Sequence, residues 1–452
     1  MSDVPGSVLP RPEVAAAAPW SFPASRRRAL DNGLSVLVYD LPGRPLASVR
    51  LVVDAPLELE PRDGTAALTT ALWSEGTTED DAETFARKLD LIGASYGAAA
   101  GHNGLAAELT VPAAELAAAL DLAAASVIRP AFADQEVARL AHELADAITE
   151  RRSRAEGRAR LELYSLAFTP DSRLSRPVEG TAGDIAALDP DTLRAFHAAN
   201  VSPGRSTLIL AGDFTGTDVT AAVTSAFGSW SGERGTWAAR PPHPAPPRAL
   251  IVDRPGAVQS VLRLGAPFPG RHSPDWAALR IAAYALGGGM DSRLSALLRE
   301  EKGYTYSIRA ALEPQHLGGL FNVACSVATD VSGPALADIV RVVATTLEGG
   351  IDSRERDQAA DYFLRIGPVG YQTSAAVADQ AAAVVADHLP DDFVDRHYAA
   401  MRAVTAESAS RALSRNLAND QLSLVVVGDA SAIESDIRAA WPGEVQVSPA
   451  DQ

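Results

Sequence analysis

Two stretches of this chain repeat one pattern. Ser206 to Asp213 reads STLILAGD and Leu422 to Asp429 reads LSLVVVGD; both are apolar, strand-forming runs ending in Gly-Asp, with Gly212 and Gly428 216 positions apart. Ser48 to Leu51 corresponds to Ser260 to Leu264 at an offset of 212, and Ala66 to Leu68 corresponds to Ala277 to Leu279 at an offset of 211. Three markers at nearly one offset constrain the fold more than any other feature, because they predict two halves built on one plan. The length of 452 residues agrees, since a single core stops growing beyond ~250–300 residues.

The join between the halves is legible. Arg240 to Arg248 reads RPPHPAPPR. Proline lacks the backbone N–H that a helix interior or central strand requires, so this stretch is predicted to be an extended, semi-rigid linker. The expected organisation is an N-terminal extension over 1–24, a first domain over 25–239, the linker over 240–248 and a second domain over 249–452.

Within the first half, the Asn-Gly of Asp31 to Leu34 predicts a hairpin with Leu34 to Tyr39 as the return strand. Ala47 to Val53 and Leu105 to Val111 read as further strands. Helices are predicted over Thr65 to Ser74, Glu79 to Ile92 with Phe85, Leu89 and Ile92 on one stripe and Gly93 as the stop, Ala113 to Val127, and Asp134 to Phe168 with Asp134 as N-cap. Strands and helices come in blocks rather than in strict alternation. The predicted fold class is therefore α+β: two similar domains, each a mostly antiparallel sheet with helices packed on one face.

Composition removes several classes of function. The net charge of −17, with no basic patch, argues against nucleic acid as a partner. No apolar run is long enough to span a bilayer. Val14 to Ala18 is Ala-rich but has neither a basic segment before it nor a long apolar core, so no secretory signal is read and a cytoplasmic location is expected. Cys325 is the only cysteine, which excludes an intrachain disulfide and a cysteine-based metal cluster; its apolar surroundings predict an inert core thiol. His142, His197, His316, His388 and His397 have no partners at ligand spacing and read as structural or solvated, and no Gly-x-Ser-x-Gly elbow occurs.

The stretch with chemical promise is Leu286 to Ile308, LGGGMDSRLSALLREEKGYTYSI. It joins Gly287, Gly288 and Gly289, a charged helix and a Tyr-rich strand start. Gly303 ends the helix, so Arg299 is predicted to project from its last turn and Tyr306 from the following strand, close enough to converge. A guanidinium and a phenol can hold a peptide carbonyl and donate to an oxyanion. The blander reading has Arg299 paired at the surface and Tyr306 packed in the core. The glycines are followed by no Gly-Lys-Ser/Thr and read as a turn allowing close backbone approach rather than a phosphate loop.

The Asn-Gly-Leu hairpin, the proline-rich linker, the Gly-Asp strand ends and Leu286 to Ile308 together give the chain a resemblance. From about Ser25 to Pro442 it resembles the small two-domain members of the pitrilysin/insulinase family of metallopeptidases, the type that includes mitochondrial processing peptidase. The resemblance implies two α+β halves forming one wall of a clam-shell around a peptide chamber. Active members carry His-x-x-Glu-His on the first long helix, which holds zinc and supplies the general base. Aligned on Gly64 and on Gly76-Thr77, those positions fall here on Ala67, Thr70 and Ala71. The third ligand, a later glutamate, falls on Glu143, seven residues after Glu136. The resemblance makes Glu143 a relic of that ligand, whereas the residue by itself reads as a solvated helix carboxylate.

No zinc or other cofactor is therefore expected in this chain, which should be inactive alone. The resemblance implies a heterodimer with a homologous partner that carries His-x-x-Glu-His and Zn2+ and hydrolyses a peptide bond with zinc-activated water. This chain would contribute Arg299 and Tyr306 to the partner's site and bind peptide with them and with Gly287, Gly288 and Gly289. A glycine-rich loop helps substrate recognition in processing peptidases, although that loop is longer than the one here. The alternative is a catalytically dead structural or peptide-binding scaffold of the same fold.

Overall fold

The computed structural model describes residues 20–233, 235–238 and 240–449. The Ala-rich stretch 14–18 and residues 1–19 of the N-terminal extension lie outside the described residues. The first half runs β1 (Arg26–Ala29), β2 (Ser35–Asp40), β3 (Leu46–Val53), α1 (Thr65–Ala71), α2 (Ala82–Leu91), β4 (Ser95–Gly101), β5 (Gly104–Pro112), α3 (Leu116–Ile128), α4 (Asp134–Ser153), α5 (Ala155–Ala167), α6 (Ala182–Ala186), α7 (Pro190–Asn200), β6 (Ser206–Gly212) and α8 (Val219–Phe227). The second runs β7 (Ala249–Asp253), β8 (Gln259–Pro267), α9 (Trp276–Ala283), β9 (Ile308–Gln315), β10 (Gly318–Ala328), α10 (Ser332–Gly349), α11 (Ser353–Gly370), α12 (Ser374–Ala386), α13 (Phe393–Ala403), α14 (Ala406–Asn416), β11 (Ser423–Gly428), α15 (Ala430–Ala440) and β12 (Val445–Ser448).

Each half builds a six-stranded sheet, in the orders β1-β2-β6-β3-β5-β4 and β12-β7-β11-β8-β10-β9. The pairs β2·β6, β7·β11 and β7·β12 are parallel and the rest antiparallel. The repeat seen in the sequence is thus a repeat of topology. Ser48 and Ser260 sit in the equivalent strands β3 and β8, and the two Gly-Asp corners close in the same way. Asp213 accepts from Gly43 N (2.7 Å) and Thr215 Oγ1 (2.6 Å), and Asp429 from Gly256 N (2.8 Å) and Ser431 Oγ (2.6 Å).

The central strands β3, β6, β8 and β11 are mostly buried on both faces and largely apolar, with Arg50 and Arg263 as charged exceptions, which requires cover on both sides. One face packs on helices of its own half, giving the two main cores. The other is covered by a helix from the opposite half. α5 lies on β8 and β11, with Leu163 and Phe168 against Val252, Val261 and Val425. α12 lies on β3 and β6, with Val377, Ala378 and Ala381 against Val52, Ile209 and Ala211. Polar bonds fasten both exchanges: Arg50 Nε to Asp379 Oδ1 (2.7 Å), Ser48 Oγ with Ser374 Oγ (3.1 Å), and Tyr164 OH to Glu313 Oε2 (2.8 Å).

This exchange explains where the predicted single helix from Asp134 to Phe168 departs from the structure. The chain breaks at Arg154 (φ −83°, ψ 132°), and α5 turns away to reach the second sheet. Gly157 fits there because a Cβ would stand 2.2 Å from Arg151 O. Asp134 is the first helical residue and Ala133 the N-cap. The helix predicted from Glu79 begins at Ala82, capped by Asp81, because Thr77 Oγ1 accepts from the backbone N–H groups of Glu79 and Asp80 and holds them in a turn. The proline-rich 240–248 runs extended beside the end of α5, through Thr169 N to His243 O and Ala245 N to Ala167 O, both 2.9 Å.

Candidate functional site

The positions that the resemblance aligns with the zinc motif lie on α1, whose N-cap is Gly64 (φ +87°), a residue whose Cβ would stand 2.5 Å from Glu179 O. Ala67 and Ala71 present only methyl groups. Thr70 is buried, with its hydroxyl within 3.0 Å of the carbonyl oxygens of Ala66 and Ala67, so it is occupied inside its own helix. α4 packs beside α1 and carries Arg139, Glu136 and Glu143. Arg139 donates Nε to Glu136 Oε2 (2.8 Å), Nη1 to Glu143 Oε1 (2.9 Å) and Nη2 to Glu75. A guanidinium thus stands among the three carboxylates and is held firmly in its charged form, first by Glu136 and then by Glu143. This set does not fit zinc, which needs imidazole, thiolate or free carboxylate donors in a tetrahedral arrangement. Among the described residues no group of three or more His, Cys, Asp or Glu side chains could hold a metal ion.

The second site is the stretch after α9. The helix does not stop at the glycines in a turn, as predicted. It widens through Tyr284–Gly288, and only Gly289 becomes extended. Gly287 is buried where a Cβ would stand 2.7 Å from Ala310 Cβ and 2.8 Å from Ala310 N, so the close backbone approach is to strand β9. Gly288 and Gly289 border the Tyr284 ring. A second wide helical run, Ser295–Glu301, closes through Lys302 N to Leu297 O (2.9 Å) and Tyr304 N to Leu298 O (2.8 Å). Gly303, at φ +64°, then reverses the chain.

Arg299 and Tyr306 do converge across that reversal. The Arg299 guanidinium carbon lies 5.5 Å from the centroid of the Tyr306 ring, a cation–π contact. Arg299 Nη1 also donates to Met290 Sδ (3.1 Å), and its Nε pairs with Glu300 (3.2 Å). The neighbours anchor the pair: Leu298 is fully buried, Tyr304 packs on the core, and Thr305 Oγ1 lies 2.8 Å from the carbonyls of Ser307 and Ser326. Tyr306 itself is 88% exposed, which overturns the reading that it packs in the core, and it precedes β9 rather than lying in it. An exposed phenol and a half-buried guanidinium therefore stand side by side at this reversal.

Cys325 is buried and its thiol is pushed up to about 12, as an inert core thiol should be. His142 pairs with Asp146 on an exposed helix face, and His197 bonds the Val127 carbonyl at 2.8 Å. Sequence spacing gave no hint of a cluster at the junction of the halves. His272, His316 and His388 surround Asp387, with ring centroids 5.3 Å and 4.5 Å apart along the series, and His388 reaches Asp54 at 3.4 Å. The three come from separate elements, so no motif could announce them.

Comparison with known proteins agrees with this fold. Residues 35–182 match the insulinase (peptidase family M16) model and residues 187–362 the peptidase M16 inactive domain. A protein of Mycobacterium bovis called an uncharacterized zinc protease is 28% identical over 347 residues, covering 75% of this chain and 77% of its own length. One of Streptomyces coelicolor with the same description is 25% identical over 425 residues, 89% of each chain. The solved peptidase M16 inactive domain of Pseudomonas fluorescens superposes with a TM-score of 0.82 at 24% identity, covering 90% of this chain and 98% of that one; a Helicobacter pylori protease gives 0.81 at 17%, covering 90% and 99%. These two likenesses concern the fold. This chain belongs to the insulinase family of peptidases, family M16, as a member without His-x-x-Glu-His.

Proposed function

We propose that this chain is the non-catalytic, substrate-binding subunit of a heterodimeric zinc peptidase. It forms one wall of the peptide chamber and lends Arg299 and Tyr306 to a homologous partner that carries the metal motif. The observation that carries this reading is the pairing of opposites within one chain. The motif helix offers only Ala67, a self-satisfied Thr70 and Ala71, while a half-buried Arg299 and an exposed Tyr306 stand together and well supported. The zinc-protease names of the relatives support a peptide substrate.

In this role the guanidinium and the phenol donate hydrogen bonds to the oxygen of the scissile carbonyl, where negative charge grows as the carbonyl is attacked. Both groups need to be pre-positioned, and the anchors at Leu298, Tyr304 and Thr305 do that. The test is reconstitution with the partner that carries His-x-x-Glu-His. Arg299→Ala and Tyr306→Phe should each lower turnover roughly 10–10³-fold, with assembly of the pair unchanged. Full turnover in both variants sinks the shared-site reading. Equal turnover by the partner with and without this chain favours the scaffold reading instead.

A further inference from the structure

A cavity of about 460 Å³ opens between α9, α11, α13 and strand β9. Its size suits a side chain or small ligand. Its chemistry is lopsided. Arg271, Arg280 and Arg309 line it together with His397, and no aspartate or glutamate does. Arg271 is neutralised by Asp387 just outside. Arg280 and Arg309 make no ion pair among the described residues.

Arg280 is the telling group. It is largely shielded from water by Phe363, whose ring centroid lies 4.3 Å from its guanidinium carbon, and by Tyr398 and Tyr371. Its hydrogen-bond partner among the described side chains is the Nε2 of His397, at 3.0 Å. Burial, with Arg280 and Arg271 beside it, pushes His397 down to about 3. The imidazole is therefore neutral and accepts from Arg280 without cancelling its charge. A guanidinium does not deprotonate in a protein. A shielded cation without a counter-ion is costly, and a second charge of the opposite sign relieves that cost. In a chain of net charge −17 this is a local exception.

The rim is apolar. Tyr284 stacks on Tyr362 at 4.6 Å, and Tyr362 and Ile366, one turn apart on α11, are 46% and 43% exposed. An anion with apolar neighbours matches the whole site better than a bare inorganic ion does.

We propose that this cavity binds a carboxylate flanked by aromatic or apolar groups, as an acidic residue in a peptide presents it, with Arg280 and Arg309 holding the carboxylate and Tyr284, Tyr362 and Ile366 contacting its neighbours. Neither Arg299 nor Tyr306 lines this cavity, although Arg309 also borders the neighbouring one that holds Tyr306; the test uses this chain without a peptidase partner, so failure here and failure of the shared-site reading are distinguishable.

Two short capped peptides serve as probes, one with glutamate between two phenylalanines and the other with glutamine in its place. Calorimetry on the full chain should show the glutamate peptide binding at least about tenfold more tightly, the worth of a charge-assisted hydrogen bond. Arg280→Gln should abolish the preference. Arg309→Gln, on an exposed residue that does not endanger folding, should reduce it about threefold or more, and Tyr362→Ala should weaken both peptides together. Equal affinity of the two peptides for the unaltered chain overturns the proposal. So does a preference that survives Arg309→Gln in full, whatever the fate of Arg280→Gln.

Discussion

Arg139 and Glu143, one turn apart on α4, are joined at 2.9 Å, and the same guanidinium holds Glu136 and Glu75. Glu143, which the resemblance aligns with the third ligand, is thereby committed to a cation of the chain itself.

That relationship predicts how hard the metal site is to rebuild. A chain carrying Ala67→His, Thr70→Glu and Ala71→His regains the donor types that zinc uses, but Glu143 stays bound to Arg139. Adding Arg139→Leu should tighten zinc binding at least about tenfold, the scale on which ligand surroundings act. Calorimetric titration with zinc checks this. Equal affinity with and without the Arg139 change would show that the guanidinium does not block the site.

The exchanged helices predict that the halves do not melt separately. Leu163 of α5 is fully buried on the second sheet. Leu163→Ala should cost about 2–5 kcal/mol, read from urea unfolding, and both sheets should be lost in a single transition. Two resolved transitions, with only one shifted, would contradict the coupling.

Gly287 and Gly303 predict opposite tolerances. A Cβ at Gly287 would meet Ala310 at 2.7 Å, so Gly287→Ala should destabilise the protein by about 1–3 kcal/mol. Gly303 has a left-handed φ but open space, and Gly303→Asn should be nearly silent because asparagine adopts that conformation. Melting temperatures of the two variants decide it; equal shifts would refute the assignment.

Buried histidines set a pH dependence. His102 and His397 are each pushed down to about 3, chiefly by burial and then by nearby arginines. In the unfolded chain they titrate near ~6.5, so unfolding takes up protons between those values. Their contribution is complete above about 6.5 and falls away as pH drops towards 3. His388 acts in the opposite sense. Asp54 raises its pKa, so its contribution is present below about 6.5 and is lost as pH rises through its folded value. His397→Gln keeps an acceptor for Arg280 and should flatten the acid limb of the melting-temperature profile. An unchanged acid limb would mean that His397 does not remain neutral in the folded state.

The amino-acid sequence by itself determined the duplication, the α+β class and the loss of the zinc motif. Each is a matter of local pattern. Strand-forming runs ending in Gly-Asp carry their own corner, and Ala67 and Ala71 lack donor atoms in any fold. Gly303 likewise permits the left-handed reversal that follows the helix, which brought Arg299 and Tyr306 within reach. Tertiary structure alone decided which helix covers which sheet, because α5 and α12 carry only a weak helical stripe of their own and it is the buried faces of β8, β11, β3 and β6 that give them a place. It also decided the charge balance at the two arginine sites. Arg139 has Glu136 and Glu143 at helical spacing in the sequence, but Glu75 reaches it, and His397 in place of any carboxylate reaches Arg280, only across elements that the chain brings together on folding.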